Sequence, residues 1–192
     1  MTRFPVILAD PPWLFSDTGT RLAPSHRGTG RASASAHYQV MPTEAICAAG
    51  AWVQQLAAAD AFLFLWAPNA LVLDGTATEV ARAWDFEPRQ LIPWVKVDAA
   101  GYPRIGGGHF TRVCTEQLIL CRRGKANVRR RDVPGVIVAE RGRHSAKPYE
   151  SYRLIERLCD GPFVELYARR RFSEKWTAWG NEAPAPRMDD RG

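Results

Sequence analysis

Phe4-Pro5-Val6-Ile7-Leu8-Ala9 runs directly into Asp10-Pro11-Pro12-Trp13. A short apolar run stopped by prolines reads as a buried strand, and the carboxyl end of such a strand is where open α/β sheets build their ligand crevices. Asp10 should therefore face a crevice. Neither proline has an N–H, and their fixed φ should leave the Asp10 and Pro11 carbonyls pointing outward with no local donor, so that the turn presents acceptors only. With a carboxylate and an indole beside them, these groups suit a flat, aromatic, donor-bearing substrate, its exocyclic amino group held by oxygens and its ring stacked on Trp13. The alternative is that two prolines simply end a strand and Trp13 packs into the core.

Outward from this junction the chain alternates strand and helix. Residues 14–42, rich in Gly, Ser, Thr, Ala and Arg, are too long for an ordinary connection and read as a functional or mobile loop. A helix starts at Thr43, capped by its hydroxyl, with Ile46, Ala49, Trp52, Val53 and Leu56 on one face. Ala61 to Trp66 is a strand, residues 69–84 a weaker helix interrupted by Gly75, and Gln90 to Val97 another strand. Residues 98–112 form a second loop around Gly106-Gly107-Gly108, a triplet without the Lys-Ser/Thr of a phosphate-binding loop and better read as flexible. Strands follow at Val113 to Cys121 and Val136 to Ala139, separated by the basic stretch Arg122 to Arg131. Lys147-Pro148 opens a helix that buries Tyr152, Ile155 and Leu158, and Phe163 to Tyr167 is the last clear strand. The pattern predicts a doubly wound, mostly parallel sheet with helices on both faces. Residues 1–182 form one domain, and 183–192, polar and Pro-rich, a disordered tail.

The tetrad Asp10-Pro11-Pro12-Trp13 resembles the signature of the amino-methyltransferases that act on the 6-amino group of adenine. The chain is similar to the branch typified by the catalytic subunit of the eukaryotic messenger-RNA adenosine methyltransferase, with its bacterial and phage relatives. The resemblance continues in order through Phe62 to Trp66, Ile92 to Lys96, Thr115 to Leu118, Val136 to Glu140, His144 to Pro148, Tyr152 to Leu158 and Gly180-Asn181. It implies a Rossmann-like methyltransferase fold in circularly permuted order, catalytic block first and cofactor block last. The strands ending at Asp10 and Tyr167 should then be sheet neighbours.

The resemblance also implies S-adenosylmethionine as cofactor. Asp10 matches the tetrad carboxylate beside substrate and cofactor, and Lys147 a lysine that pairs with the cofactor's α-carboxylate. Leu166, Tyr167 and Arg169 match the loop that wraps the cofactor, Arg169 lying near its ribose. Asn181 and Glu182 match residues at the nucleoside part, Glu182 replacing a Gln. Arg171 and Phe172 replace a His and an Asn of some relatives, and no glycine-rich turn follows Tyr167. With only nine residues before Asp10, a segment that lines the adenine pocket in longer relatives is expected to be missing. On the substrate side, Trp13, Tyr38, Arg112 and Glu116 are the candidates. If Asp10 and the Pro11 carbonyl accept the two amino hydrogens, the nitrogen can pyramidalise and expose its lone pair, and the fixed oxygens stabilise the positive charge that develops there.

Composition fits this picture. Across 192 residues, 26 Lys and Arg against 20 Asp and Glu give a net charge of +6, favouring a polyanionic partner. Arg21, Arg27 and Arg31 in the first loop and Arg122 to Arg131 are the phosphate-contact candidates, the alternative for the second run being a merely solvated surface. The implied partner is nucleic acid, DNA before RNA because the compact chain lacks appended modules; a catalytically inactive binding subunit is the alternative of another class. A homodimer or partner subunit is open. Cys47, Cys114, Cys121 and Cys159 have no metal-ligand spacing and read as reduced thiols. No metal is expected. The first apolar run is too short for a bilayer, so the expectation is a cytoplasmic protein without a membrane partner.

Overall fold

Alternation along the first strand, β1 (Phe4–Ala9), organises the fold by sending successive side chains to opposite faces of one sheet. The structure is a computed structural model and describes residues 3–14, 40–108, 110–142 and 146–180. Ile7 and Ala9 enter one core together with Leu63, Leu65 and Ile119, and Val6 and Leu8 enter the other with Phe62, Phe64 and Trp66. The remaining strands are β2 (Ala57–Ala67), β3 (Glu87–Val97), β4 (Thr115–Arg123), β5 (Ile137–Glu140), β6 (Phe163–Leu166) and β7 (Trp176–Trp179). They form one seven-stranded sheet in the order β5-β3-β4-β2-β1-β6-β7. Only β4 runs antiparallel to its neighbours. The near-continuous apolar character of Phe62 to Ala67 follows from burial on both faces.

Helices α1 (Thr43–Ala48), α2 (Gly50–Leu56), α3 (Asn69–Leu73) and α4 (Thr76–Ala83) serve the first core, and α5 (Tyr149–Leu158) the second, as a doubly wound sheet requires. α1 starts at Thr43, but the capping position belongs to Pro42 and no side chain caps the helix. Pro42 holds an extended φ of −63° and ψ of 152°, so Thr43 is already helical and its hydroxyl is misplaced for capping. The helix expected from Thr43 to Leu56 breaks at Ala49. That break offsets the buried stripe to Gly50, Val53 and Leu56, leaving Trp52 43% exposed on top of Trp179, ring centroids 5.0 Å apart. Between α3 and α4 the interruption at Gly75 is a left-handed turn with φ of 89°. No helix among the described residues is long and apolar enough to cross a membrane.

Two further expectations change. Gly106 to Gly108, read from the sequence as flexible, also serve packing: Gly106 donates to the Val113 carbonyl at 2.9 Å and Val113 to the Gly107 carbonyl at 3.1 Å. A Cβ on Gly106 would stand 2.8 Å from the Val113 oxygen, and one on Gly108 would collide with the Thr111 carbonyl, so the glycines allow two backbone segments to close on each other. β7 is an addition to the strands expected from the sequence. The basic stretch leaves the sheet at the end far from Asp10, because antiparallel β4 pairs Arg123 with Ala61 and Gln117 with Ala67. Most of the 14–42 loop, including Arg21, Arg27, Arg31 and Tyr38, lies outside the described residues, as do His144, Ser145, Asn181, Glu182 and the 183–192 tail. All four cysteines are free thiols, and burial pushes Cys121 and Cys159 up to about 12.

Candidate active site at the carboxyl ends of the strands

β1 and β6 are parallel neighbours with Ala9 opposite Leu166, so Asp10 and Tyr167 leave the sheet side by side into one crevice. The tetrad turns tightly there. Trp13 donates its backbone N–H to the Pro11 carbonyl at 2.8 Å, and Met41 donates to the Pro12 carbonyl at the same distance. The turn is thus not the donor-free rim that the prolines suggested: a three-residue turn brings the Trp13 amide back onto Pro11. One lone pair of that oxygen remains. The Trp13 indole is only 7% exposed, and its N–H donates to the Trp66 carbonyl at 2.9 Å. The indole packs into the first hydrophobic core beside the turn, the arrangement that the alternative reading of the tetrad described.

Four alternating charges line the mouth. Lys147, just ahead of α5, reaches Asp10 Oδ2 at 2.9 Å and Glu116 Oε1 at 2.8 Å, while Glu116 Oε2 accepts from Lys96 at 2.8 Å. Indoles back both ammoniums, Trp66 lying 5.4 Å from the Lys147 Nζ and Trp94 4.7 Å from the Lys96 Nζ. Burial pushes the Asp10 carboxyl above its usual range, Lys147 offsetting only part of that. Burial acts the same way on Glu116, but the ammoniums of Lys147 and Lys96 outweigh it and hold that carboxyl low. For Lys147 the two carboxylates outweigh desolvation and raise its pKa. Pairing thus favours the charged forms of Glu116 and Lys147, whereas burial works against the charge of Asp10.

Beside this row, Glu165 of β6 is 8% exposed and accepts the Tyr152 hydroxyl at 2.9 Å, while its Oε2 is buried with no partner among the described residues. Desolvation pushes its pKa up to about 7. Tyr167 adopts φ of 61°, taking the left-handed position that a glycine fills in glycine-rich turns. Leu166 is buried, and Arg169 is exposed with its charge acting on Asp10. Arg112 is exposed on the 98–112 loop with no ion-pair partner among the described residues. The fold therefore gathers Asp10, Pro11, Trp13, Glu116, Lys147, Leu166, Tyr167 and Arg169 at one end of the sheet. Tyr38, Asn181 and Glu182 lie outside the described residues.

Two members of this cluster are not among the candidates read from the sequence. Lys96 continues the buried even-numbered stripe Ile92, Trp94 of β3, so strand periodicity alone aims it at the same face. Glu165 is visible as a lone carboxylate inside an apolar strand, a placement that needs a partner or a purpose. Among the described residues no three His, Cys, Asp or Glu side chains cluster to hold a metal.

Comparison with known proteins accords with this geometry. The Type II methyltransferase M.MunI of Mycoplasma sp is 26% identical over 200 residues, covering 97% of this chain and 81% of that protein. A putative N(6)-adenosine-methyltransferase MT-A70-like of Medicago truncatula is 29% identical over 198 residues. An N(6)-adenosine-methyltransferase MT-A70-like protein of Drosophila melanogaster is 29% identical over 197 residues. The chain spans only 28% of the length of either of these two. The MT-A70 family model matches residues 4–182, which takes in every strand, every helix and the whole charged row. The chain belongs to the MT-A70 family, whose methyltransferases use S-adenosylmethionine as methyl donor.

Proposed function

We propose that this protein transfers a methyl group to the exocyclic 6-amino nitrogen of adenine in nucleic acid, with DNA as the preferred substrate. The observation that carries the reading is the row Asp10–Lys147–Glu116–Lys96 at the mouth of an acceptor-rich turn. The methionine end of S-adenosylmethionine is a zwitterion, and a carboxylate and an ammonium 2.9 Å apart, Asp10 and Lys147, match its two charges. The unpartnered buried Oε2 of Glu165 adds a polar group beside them. The residues fit the cofactor. When bound, it supplies an electrophilic methyl group.

The remaining chemistry belongs to the chain. Lys147 occupies Oδ2 of Asp10, leaving Oδ1 to accept one amino hydrogen while the second lone pair of the Pro11 carbonyl accepts the other. Withdrawn from conjugation by these two oxygens, the nitrogen directs its lone pair at the electrophile, and the fixed carboxylate stabilises the charge that develops more than it stabilises neutral adenine. The proton shed by the alkylated nitrogen passes to Oδ1, whose raised pKa suits it to take a proton and release it to water. Trp13 holds the base edge in place, its own orientation fixed by the bond to Trp66. A base in a duplex must be turned out of the stack to reach this turn.

DNA is put first on the similarity to the type II methyltransferase M.MunI, and RNA second on the similarity to the N(6)-adenosine-methyltransferases. The deciding experiment incubates the purified protein with labelled S-adenosylmethionine and matched DNA and RNA oligonucleotides, then identifies the labelled base. N(6)-methyladenine from DNA is expected, falling by roughly 10²-fold or more in Asp10→Ala. Label only in RNA transfers the activity to the second substrate. Label on no adenine overturns the reading and leaves an inactive binding subunit.

A further inference from the structure

Away from the crevice, a groove of about 650 Å³ opens where α5 ends and β6 begins. Its charged walls are Arg129, Arg153, Arg157 and Lys175 against Glu156 and Asp160. Both carboxylates are already engaged: Asp160 accepts from Arg129 at 3.1 Å, and Glu156 accepts the Trp176 indole N–H at 2.9 Å with Lys175 at 3.7 Å. Arg153 and Arg157 are exposed and have no carboxylate at ion-pair distance among the described residues. They are also not isolated on the surface. Tyr149, Arg153 and Arg157 stand four residues apart and so share one stripe of α5, with a rise of about 6 Å per step.

The direction of that stripe matters. α5 begins beside Lys147, at the lip of the crevice, and ends beside Phe163, which pairs with Val6, four residues before Asp10. The stripe therefore runs from the reaction site to the groove over about 12 Å. At its upper end Tyr149 is 52% exposed, with the Arg153 guanidinium 4.7 Å from its ring centroid and Phe172 4.9 Å away. An aromatic face followed by two guanidiniums without carboxylate partners and a basic groove is the arrangement that tracks a single nucleic-acid strand, base on ring and phosphates on cations. Glu150 lies on the first turn of the same helix and limits the attraction at the lip, so the charge surplus is at the groove end.

We infer that the α5 stripe Tyr149–Arg153–Arg157, through the side of the groove that it forms and without the paired Arg129 and Lys175, binds the phosphodiester backbone of the strand that carries the target base, several nucleotides away from it. This inference rests on the proposed nucleic-acid substrate. Its test measures binding separately from methyl transfer, using a fluorescein-labelled single-stranded DNA about 20 nucleotides long with one central adenine, and one of about five nucleotides that cannot reach the groove. In Arg153→Ala/Arg157→Ala the long strand should bind several-fold more weakly at low salt, with the slope of log K against log salt flattened by up to about 0.7 per lost contact. S-adenosylmethionine affinity and turnover of the short strand should be unchanged, and Arg153→Lys/Arg157→Lys should restore the slope. An unchanged slope and affinity, or an equal loss for the short strand, overturns the track. If the wild type shows the arginine-dependent slope yet methylates neither strand nor the duplex formed from the long one, the track stands and the proposed activity fails; if it methylates and the arginines have no effect, the activity stands and the track fails.

Discussion

At the residue scale, the site depends on one ammonium shared by two carboxylates. Lys147→Ala should weaken S-adenosylmethionine binding, read by calorimetry, far more than nucleic-acid binding. It should also move the acid limb of the pH–rate profile upward. The active form carries ionised Asp10, whose carboxyl burial already raises, and Lys147 is the largest influence opposing that rise. Calorimetry showing unchanged cofactor affinity would remove Lys147 from the site. Glu165 allows a second prediction. Its pKa is about 7 in the native protein against an ordinary 4.5, so the folded state holds a proton that the unfolded chain releases. Stability from this group is therefore lost as pH rises from about 4.5 to 7 and stays lost above that. Glu165→Gln keeps an acceptor for Tyr152 and removes the penalty, so its advantage over the wild type should grow to roughly 3 kcal/mol at pH 8 and vanish below pH 4.5. Denaturant titrations at pH 4.5 and 8 measure the difference; equal values at both would show that the carboxyl is not held protonated.

At the element scale, antiparallel β4 does most to arrange the surface. It brings Glu116 to the crevice at its start and carries Arg122 and Arg123 to the opposite end. The stretch beyond it is not a free basic ribbon. The Arg129 backbone N–H donates to the Leu158 carbonyl at 2.7 Å and its guanidinium to the Glu156 carbonyl at 2.8 Å, so Arg129 satisfies carbonyls left open at the end of α5. Arg130 is tied to Asp132 and Arg123 to Asp85. Arg129→Ala should accordingly cost about 1 kcal/mol of stability, lowering the melting temperature by roughly 2–4 °C, with little change in the salt dependence of DNA binding. A large change in that dependence without loss of stability would return Arg129 to the phosphate-contact set. Sequence density marked this stretch as charged; only the strand direction and the helix end it meets show how those charges are used.

At the scale of the whole molecule, one sheet serves two cores. β1 and β2 deliver alternate side chains to both, so neither face can melt while the other stays packed. Unfolding followed by far-ultraviolet and near-ultraviolet circular dichroism should therefore give coincident transitions, and separated midpoints would show that the faces are independent units. The resemblance placed β6 beside β1; for the rest, local chemistry written along the chain was enough for much of this architecture, the apolar run of β1 and the prolines that stop it specifying an α/β sheet with Asp10 at its crevice. Sequence periodicity reaches that far because burial on a strand or helix is a near-neighbour property. It does not reach β7, four residues whose pairing partner makes them a strand, nor the break at Ala49 that turns Trp52 outward. The meeting of Asp10, Lys147, Glu116 and Lys96, drawn from four places in the chain, was likewise decided by tertiary structure alone, since ion pairs form in space and their energy depends on the water that packing removes around them.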